Sequence, residues 1–115
     1  MEVNVSLTVC LNDPTATYDV QSLYDSDITH NLNEMAREAG IYEALWRPEI
    51  IAAVYAKDII DIVEKGLNKL KACPEHFMKF NSPNGWGTYK NFVPFVQNYL
   101  DALIKYPDAK IEVCR

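Results

Sequence analysis

The chain has 115 residues, of which 49% are apolar and 23% charged, a composition that fits one globular domain and excludes a largely disordered chain. Its formal net charge is −5, and its 11 basic residues are scattered among 16 acidic ones. General binding to nucleic acid or to anionic lipid is therefore disfavoured, although a local basic pocket for one small anion is compatible with this charge.

No sequence feature points to secretion or to a membrane. The chain opens without a charged-then-apolar leader, and no apolar run approaches the ~18 residues of a membrane span. The cysteines, Cys10, Cys73 and Cys114, are odd in number and lack CxxC spacing, so we expect reduced thiols in a cytoplasmic protein. With His30 or His76 they match no standard metal-site spacing, and we expect neither a metal nor a cofactor.

The first residues alternate between apolar and polar with a period of two, which predicts a half-buried strand. The apolar residues of this alternation are Val3, Val5, Leu7 and Val9. Asn12-Asp13-Pro14 has the composition of a turn. The β-permissive residues between Thr15 and Tyr24 predict a second strand that forms a hairpin with the first.

Helical spacing of apolar residues follows. It predicts a helix from Ile28 to Ala39 that is capped within residues 25–27 and ended by a glycine, and then a helical turn over residues 41–46. Pro48 suits the first position of the next helix, which we predict to run to about Ala72. Gly66 lies within the apolar stripe of that helix, and its lack of a side chain predicts the close approach of another backbone.

The last helical region includes the apolar residues from Phe92 to Ile104, after a short turn over residues 75–80. Its start depends on Pro94. If Thr88 caps the helix, Pro94 removes a hydrogen bond in the second turn; if Asn91 caps it, Pro94 is harmless in the first turn. We expect a break or a kink at this proline.

Residues 110–114 alternate again, which predicts a last strand beside the first. The order strand, strand, helices, strand predicts an α+β fold in a single domain over residues 1–115. We expect a small antiparallel or mixed sheet covered by three or more helices.

Three polar clusters lie at predicted helix starts, where free N–H groups favour an anion. The first contains Thr29, His30 and Asn31. Its structural alternative is that Asp27 or Thr29 caps the helix and His30 orders the chain beneath it. Read as an enzyme, His30 with Asp25 or Asp27 would act as a general base. No Ser-His-Asp, GxSxG, HExxH or paired-carboxylate pattern supports an enzyme, so binding without catalysis is favoured.

The second cluster is Trp46-Arg47, directly before Pro48. Its guanidinium group can bind a carboxylate or phosphate while the indole stacks on the ligand. Alternatively, Arg47 pairs with Glu43 or Glu49 and Trp46 fills the core.

The third cluster is NGWGTY, which contains Asn84, Trp86, Thr88 and Tyr89. Its two glycines permit close approach to the backbone. Trp86 between them can stack on a base or sugar, with Thr88 and helix N–H groups beneath for a phosphate. Alternatively, the segment is a corner in which Trp86 fills the core. The chain has no Walker-type loop and no GxGxxG.

The segments ITHNL…AGIY…LWRPE and NGWGTY resemble motifs of a family of small proteins encoded by bacteriophages and their bacterial hosts, which carries no assigned activity. The resemblance covers the chain from Asp27 onward. Its marked positions here are polar or aromatic: Thr29, His30, Asn31, Trp46, Arg47, Asn84, Trp86, Thr88 and Tyr89.

From the resemblance and the clusters we expect a small-molecule-binding protein whose three helix starts converge on one site for a small polar or phosphorylated ligand. A nucleotide-like host signalling molecule, sequestered in a counter-defence role in the host cytoplasm, is the leading case. One alternative is a protein-interaction module that acts on a host protein or on its own copy; another is a small hydrolase or transferase that uses His30. The oligomeric state is open, and a homo-oligomer whose intersubunit groove completes the site is compatible.

Overall fold

A three-stranded antiparallel sheet and five α-helices form the α+β fold that the sequence predicts. The computed structural model describes residues 6–15, 22–81, 85 and 87–114. Strands β1 (Ser6–Asn12), β2 (Ser22–Thr29) and β3 (Lys110–Cys114) lie in the order β2-β1-β3. The prediction that the last strand lies beside the first is confirmed. Val3, Val5 and residues 16–21 of the predicted hairpin lie outside the described residues.

The central strand β1 separates the two faces of the sheet. Leu7, Val9 and Leu11 are fully buried on the helix side. On the other face, Cys10 lies between its register partners Asp25 on β2 and Glu112 on β3. Burial, and then the neighbouring charge of Asp25, raises the pKa of the Cys10 thiol. The face of the sheet opposite the helices, called the uncovered face, therefore carries acidic side chains around Cys10. The thiol of Cys10 stays protonated near neutral pH.

Strand β2 ends later than the sequence predicts, and the following helix begins later. Ile28 belongs to the strand, where it pairs with Leu7 of β1, whereas the sequence predicts it as the first helical residue. A 3₁₀ turn over His30–Leu32 follows, and α1 begins at Asn33. The hydroxyl of Thr29 accepts a hydrogen bond from the backbone N–H of Asn31 at 3.3 Å and so caps the 3₁₀ turn. The cap of this turn is therefore Thr29, as the structural alternative for the first cluster predicts, and not one of residues 25–27.

The helices pack on one face of the sheet. They are α1 (Asn33–Ala39), α2 (Tyr42–Trp46), α3 (Ile60–Ala72), α4 (Pro74–Met78) and α5 (Tyr89–Lys105). Helix α5 begins after Thr88 and continues through Pro94, so the expected break does not occur. Within the described ranges, no helix combines the length and apolarity needed to cross a bilayer.

The single helix predicted from Pro48 to Ala72 is wrong, because α3 begins only at Ile60 and about the first half of the predicted helix has another structure. A 3₁₀ turn over Pro48–Ile51 ends at Ala52, whose φ is 56°. The backbone N–H of Ile111 on β3 donates to the carbonyl oxygen of Val54 at 2.9 Å, and Tyr55 forms an isolated bridge with Lys110. Pairing with the edge of β3 replaces the helical hydrogen bonds in this segment.

Gly66 makes the close packing of α3 possible. A Cβ atom at this position would overlap Cγ2 of Ile41 and would lie 3.2 Å from the carbonyl oxygen of Ala39. The close approach that the sequence predicts is thus made by the Ile41 side chain together with the end of α1.

Candidate functional site

A hollow of about 480 Å³ lies where the end of β2 meets the segment before α5. We call it the glycine-loop hollow. It is lined by Ser6, Asp27, Ile28, Thr29, Leu32, Gly85, Gly87 and Asn91. The volume lies within the range of small-molecule sites. Strand β2, the 3₁₀ turn, the segment that carries Gly85 and Gly87 (the glycine loop) and the first turn of α5 therefore surround one concave surface.

Gly87 allows the loop to lie directly against the 3₁₀ turn. Its φ is 105°, which L side chains rarely adopt. A Cβ atom there would lie 3.0 Å from Cβ of Asn31 and 3.2 Å from Cγ2 of Thr29. The first and third polar clusters are thus in contact.

The described lining of the hollow carries one charged side chain, the carboxylate of Asp27. The hydroxyl of Thr8 on β1 donates to its Oδ1 at 2.5 Å, which fixes the carboxylate on the uncovered side of the sheet. Ile28 and Leu32 supply an apolar part, whereas Ser6 and Asn91 supply neutral hydrogen-bonding groups. This lining favours ligands that carry hydrogen-bond donors and disfavours an anionic group close to Asp27.

His30 does not line the hollow but joins the first cluster to the second. Its Nδ1 accepts a hydrogen bond from the indole Nε1–H of Trp46 at 2.8 Å, so in the neutral ring the proton lies on Nε2. No hydrogen bond between His30 and a carboxylate is present among the described residues. The contact that would orient His30 as a general base, with Asp25 or Asp27, is therefore not formed there.

Trp46 is part of the core, with 3% of its surface exposed. Its ring stacks on Tyr42 at a centroid distance of 5.6 Å and an interplanar angle of 11°. The structural alternative for Trp46 thus describes its position. Arg47 is exposed, does not line the hollow, and donates from Nε to the Tyr42 hydroxyl at 3.3 Å. The second cluster therefore contacts the first through the hydrogen bond between Trp46 and His30, but Arg47 lies outside the hollow.

Tyr89 anchors the start of α5 rather than lining the hollow. Its backbone N–H donates to Oδ1 of Asn81 at 2.7 Å, and its hydroxyl donates to the carbonyl oxygen of Leu70 at 2.8 Å. Thr88 is half-buried at the N-terminal boundary of α5. Asn84 and Trp86 lie outside the described residues.

Of the predicted ligand-binding residues, Thr29 lines the hollow, whereas several lining residues were not predicted as ligand contacts: Ser6, Asp27, Ile28, Leu32 and Asn91. The sequence names Asp27 only as a candidate cap or a partner of His30. It names Asn91 only as a candidate cap. With the helix starting at Tyr89, Asn91 lies in the first turn of α5, and this turn faces the hollow. The sequence could have pointed to Asn91 through the helix start, since a cap at Thr88 places Asn91 in the first turn of the helix.

Among the described residues, no group of three or more His, Cys, Asp or Glu side chains is arranged to hold a metal ion. Comparison with known protein families, curated proteins and solved structures finds no significant match.

Proposed function

We propose that the protein binds a small, polar, nucleotide-like ligand in the glycine-loop hollow. The observation that carries this proposal is a concave surface of small-molecule size between the end of β2 and the first turn of α5, beside which Gly87 packs against Thr29 and Asn31. Two stretches that are far apart in the chain thereby supply one site.

The charge of the lining selects the part of the ligand that enters. Asp27 accepts hydrogen bonds and repels phosphate, so the uncharged nucleoside part lies in the hollow and any phosphate points away from it. Ribose hydroxyls or an exocyclic amino group donate to Asp27, whereas the flat face of the base packs on the half-buried side chain of Ile28. The amide of Asn91 adds a donor and an acceptor.

Binding of this kind requires no turnover. In a phage-encoded protein it would withdraw a signalling nucleotide of the host, which is the counter-defence role that the motif resemblance suggests. That role rests on the resemblance, whereas the ligand class rests on the hollow.

Thermal and chemical unfolding in the presence of each of the four ribonucleosides and its 5′-monophosphate tests the ligand class. A cognate nucleoside at about 100 times its Kd raises the unfolding free energy by about 2.7 kcal/mol. Asp27→Asn weakens nucleoside binding about tenfold, because a hydrogen bond to a charged acceptor contributes about 1.5–3 kcal/mol.

Asp25→Asn is the matched control. Asp25 lies two residues earlier on the same face of β2 and does not line the hollow. We expect it to leave binding unchanged. The proposal is wrong if none of these ligands stabilises the protein, or if Asp25→Asn and Asp27→Asn weaken binding equally, which would indicate a general effect of charge.

A second candidate function, a protein-interaction module, is favoured by one observation. The segment between Pro48 and Ala56 exposes four large apolar side chains: Ile50, Ile51, Val54 and Tyr55. Several exposed apolar side chains within one short segment are typical of interaction sites.

A further inference from the structure

Tyr42 is contacted by two arginines that approach it from different directions. The Cζ atom of Arg37 lies 4.1 Å from the centroid of the Tyr42 ring, in a cation–π arrangement. Nε of Arg47 donates to the hydroxyl of the same residue at 3.3 Å. Two of the chain's arginines are therefore held at one aromatic ring, although they belong to different elements.

The ring that holds them is itself fixed. Tyr42 stacks on Trp46, which is buried and is hydrogen-bonded to His30. Tyr42 is half-buried, whereas Arg37 and Arg47 are exposed. A rigid aromatic support thus carries two cationic groups at the surface, which reduces the side-chain freedom that a ligand would otherwise have to restrict.

Neither arginine is neutralised within the described part of the chain. The ion pairs found there are Lys57 with Asp108 and His76 with Glu38. Glu38 is the chain neighbour of Arg37, yet its carboxylate contacts Nε2 of His76 at 2.8 Å. Two positive groups near one ring, neither of them in an ion pair with another described residue, repel each other and attract an anion.

We propose that Arg37 and Arg47, supported by Tyr42, bind the phosphate group of a phosphomonoester. One guanidinium fork satisfies both oxygens of a carboxylate, so a carboxylate would leave the second arginine unused. A phosphomonoester has three terminal oxygens and close to two negative charges near neutral pH, which match two guanidinium groups.

This site is separate from the glycine-loop hollow and does not depend on the proposed function. Neither arginine lines the hollow, whose only described charge is the carboxylate of Asp27. The phosphate can come from a free phosphorylated metabolite or from a phosphorylated side chain of a partner protein.

The chain contains three arginines, Arg37, Arg47 and Arg115, so their side-chain Nε–H groups give three resonances in an NMR spectrum of arginine-labelled protein. Phenyl phosphate is titrated at constant ionic strength, with sodium chloride as the reference. We expect the resonances of Arg37 and Arg47 to shift together with one Kd, whereas Arg115 serves as the internal control and does not shift. Equal shifts of all three, or no shift, would overturn the proposal.

Variants test whether the two arginines act together. Arg37→Ala lowers the affinity for phenyl phosphate, measured from the Arg47 resonance, about tenfold, because half of the charge-assisted contacts are lost. Arg37→Lys keeps the charge but loses the fork and gives an intermediate affinity, and Arg115→Ala leaves binding unchanged. Amide spectra check that each variant is folded. An Arg47 response that is unaffected by Arg37→Ala in a folded protein would refute a shared site.

The source of the phosphate is distinguished with a phosphotyrosine peptide, its unphosphorylated form and phenyl phosphate. Tighter binding of the phosphopeptide than of phenyl phosphate, with no binding of the unphosphorylated peptide, identifies a partner protein as the source. Equal affinities of the phosphopeptide and phenyl phosphate identify a small metabolite. Binding of both peptides alike would overturn phosphate recognition.

Discussion

Tyr99 of α5 carries a buried hydroxyl for which the described residues provide no hydrogen-bond partner. The residue is fully buried, and its ring stacks on Tyr24 of β2 at a centroid distance of 6.1 Å. Burial raises the pKa of the Tyr99 phenol, so the group is neutral throughout the ordinary pH range. The ring is part of the core, whereas the hydroxyl has lost its hydrogen bonds to water and gains none from the described residues.

We therefore predict that Tyr99→Phe raises the unfolding free energy by about 1 kcal/mol, because it removes an unsatisfied polar atom and keeps the shape of the ring. Urea denaturation measures the change. The matched control is Tyr89→Phe, which removes a hydroxyl that donates to the carbonyl oxygen of Leu70 and should lower stability by about 1 kcal/mol. A loss for Tyr99→Phe as large as that for Tyr89→Phe would contradict the prediction.

The identity of single residues predicted part of the candidate site and missed the rest for a physical reason. The two glycines indicated that another group approaches their backbone closely, and Gly87 does pack against Thr29 and Asn31. An indole can stack on a ligand or on a neighbour, and the choice depends on what surrounds it. Trp46 packs on Tyr42 and donates to His30, partners that no local pattern specifies.

At the scale of elements, the segment from Val54 to Asp58 shows why a predicted helix failed. Its apolar residues fit helical spacing, but Val54 and Tyr55 also suit an extended strand. Both Val54 and Tyr55 donate their backbone N–H groups to Oδ2 of Asp58, at 3.0 and 2.9 Å. Pairing with β3 together with this carboxylate overrides the weak local preference for helix. The strand partner lies more than fifty residues away, so the sequence pattern near Val54 could not reveal it.

Asp58 makes the stability of this segment dependent on pH. The two backbone hydrogen bonds, from Tyr55 first and then from Val54, lower the pKa of the Asp58 carboxyl. A carboxyl whose pKa is lower in the folded state stabilises the fold fully above its unfolded pKa, about 3.9. That stabilisation is lost as the pH falls through the lower, folded value.

Asp58→Asn should thus lower the unfolding free energy at pH 7, and the difference from wild type should shrink below about pH 4. Chemical denaturation at a series of pH values measures this difference. Glu64→Gln on α3 is the control. Glu64 is exposed, and its side chain forms no hydrogen bond or ion pair with another described residue. A constant difference across this range would show that the carboxylate does not order the segment.

At the scale of the whole molecule, the fold class followed from the placement of alternating segments near both ends of the chain. Two strands before the helices and one after them bring the last strand beside the first, since β1 pairs with both β2 and β3. Their register was not predictable from the sequence because it depends on which apolar residues share one core. Leu7 and Val9 are opposite Ile28 and Ser26, and a serine at an inward position gives no periodic signal.

The finished surface is uneven. Acidic side chains gather on the uncovered face of the sheet, whereas the segment before α3 exposes apolar ones. Ile50 is 63% exposed and Val54 is 49% exposed, although both follow the buried Trp46 closely in the chain. Surfaces of this kind are removed from water when two chains associate, since burial of apolar area is favourable.

We expect the weight-average mass from sedimentation equilibrium to rise with protein concentration, through contact between copies at this segment. Ile50→Glu should abolish the rise, because a buried unpaired carboxylate opposes association. The matched control is Ile104→Glu, which alters a 54% exposed isoleucine on α5 and should leave the rise intact. A constant monomer mass in wild type, or equal behaviour of the two variants, would contradict self-association through the segment.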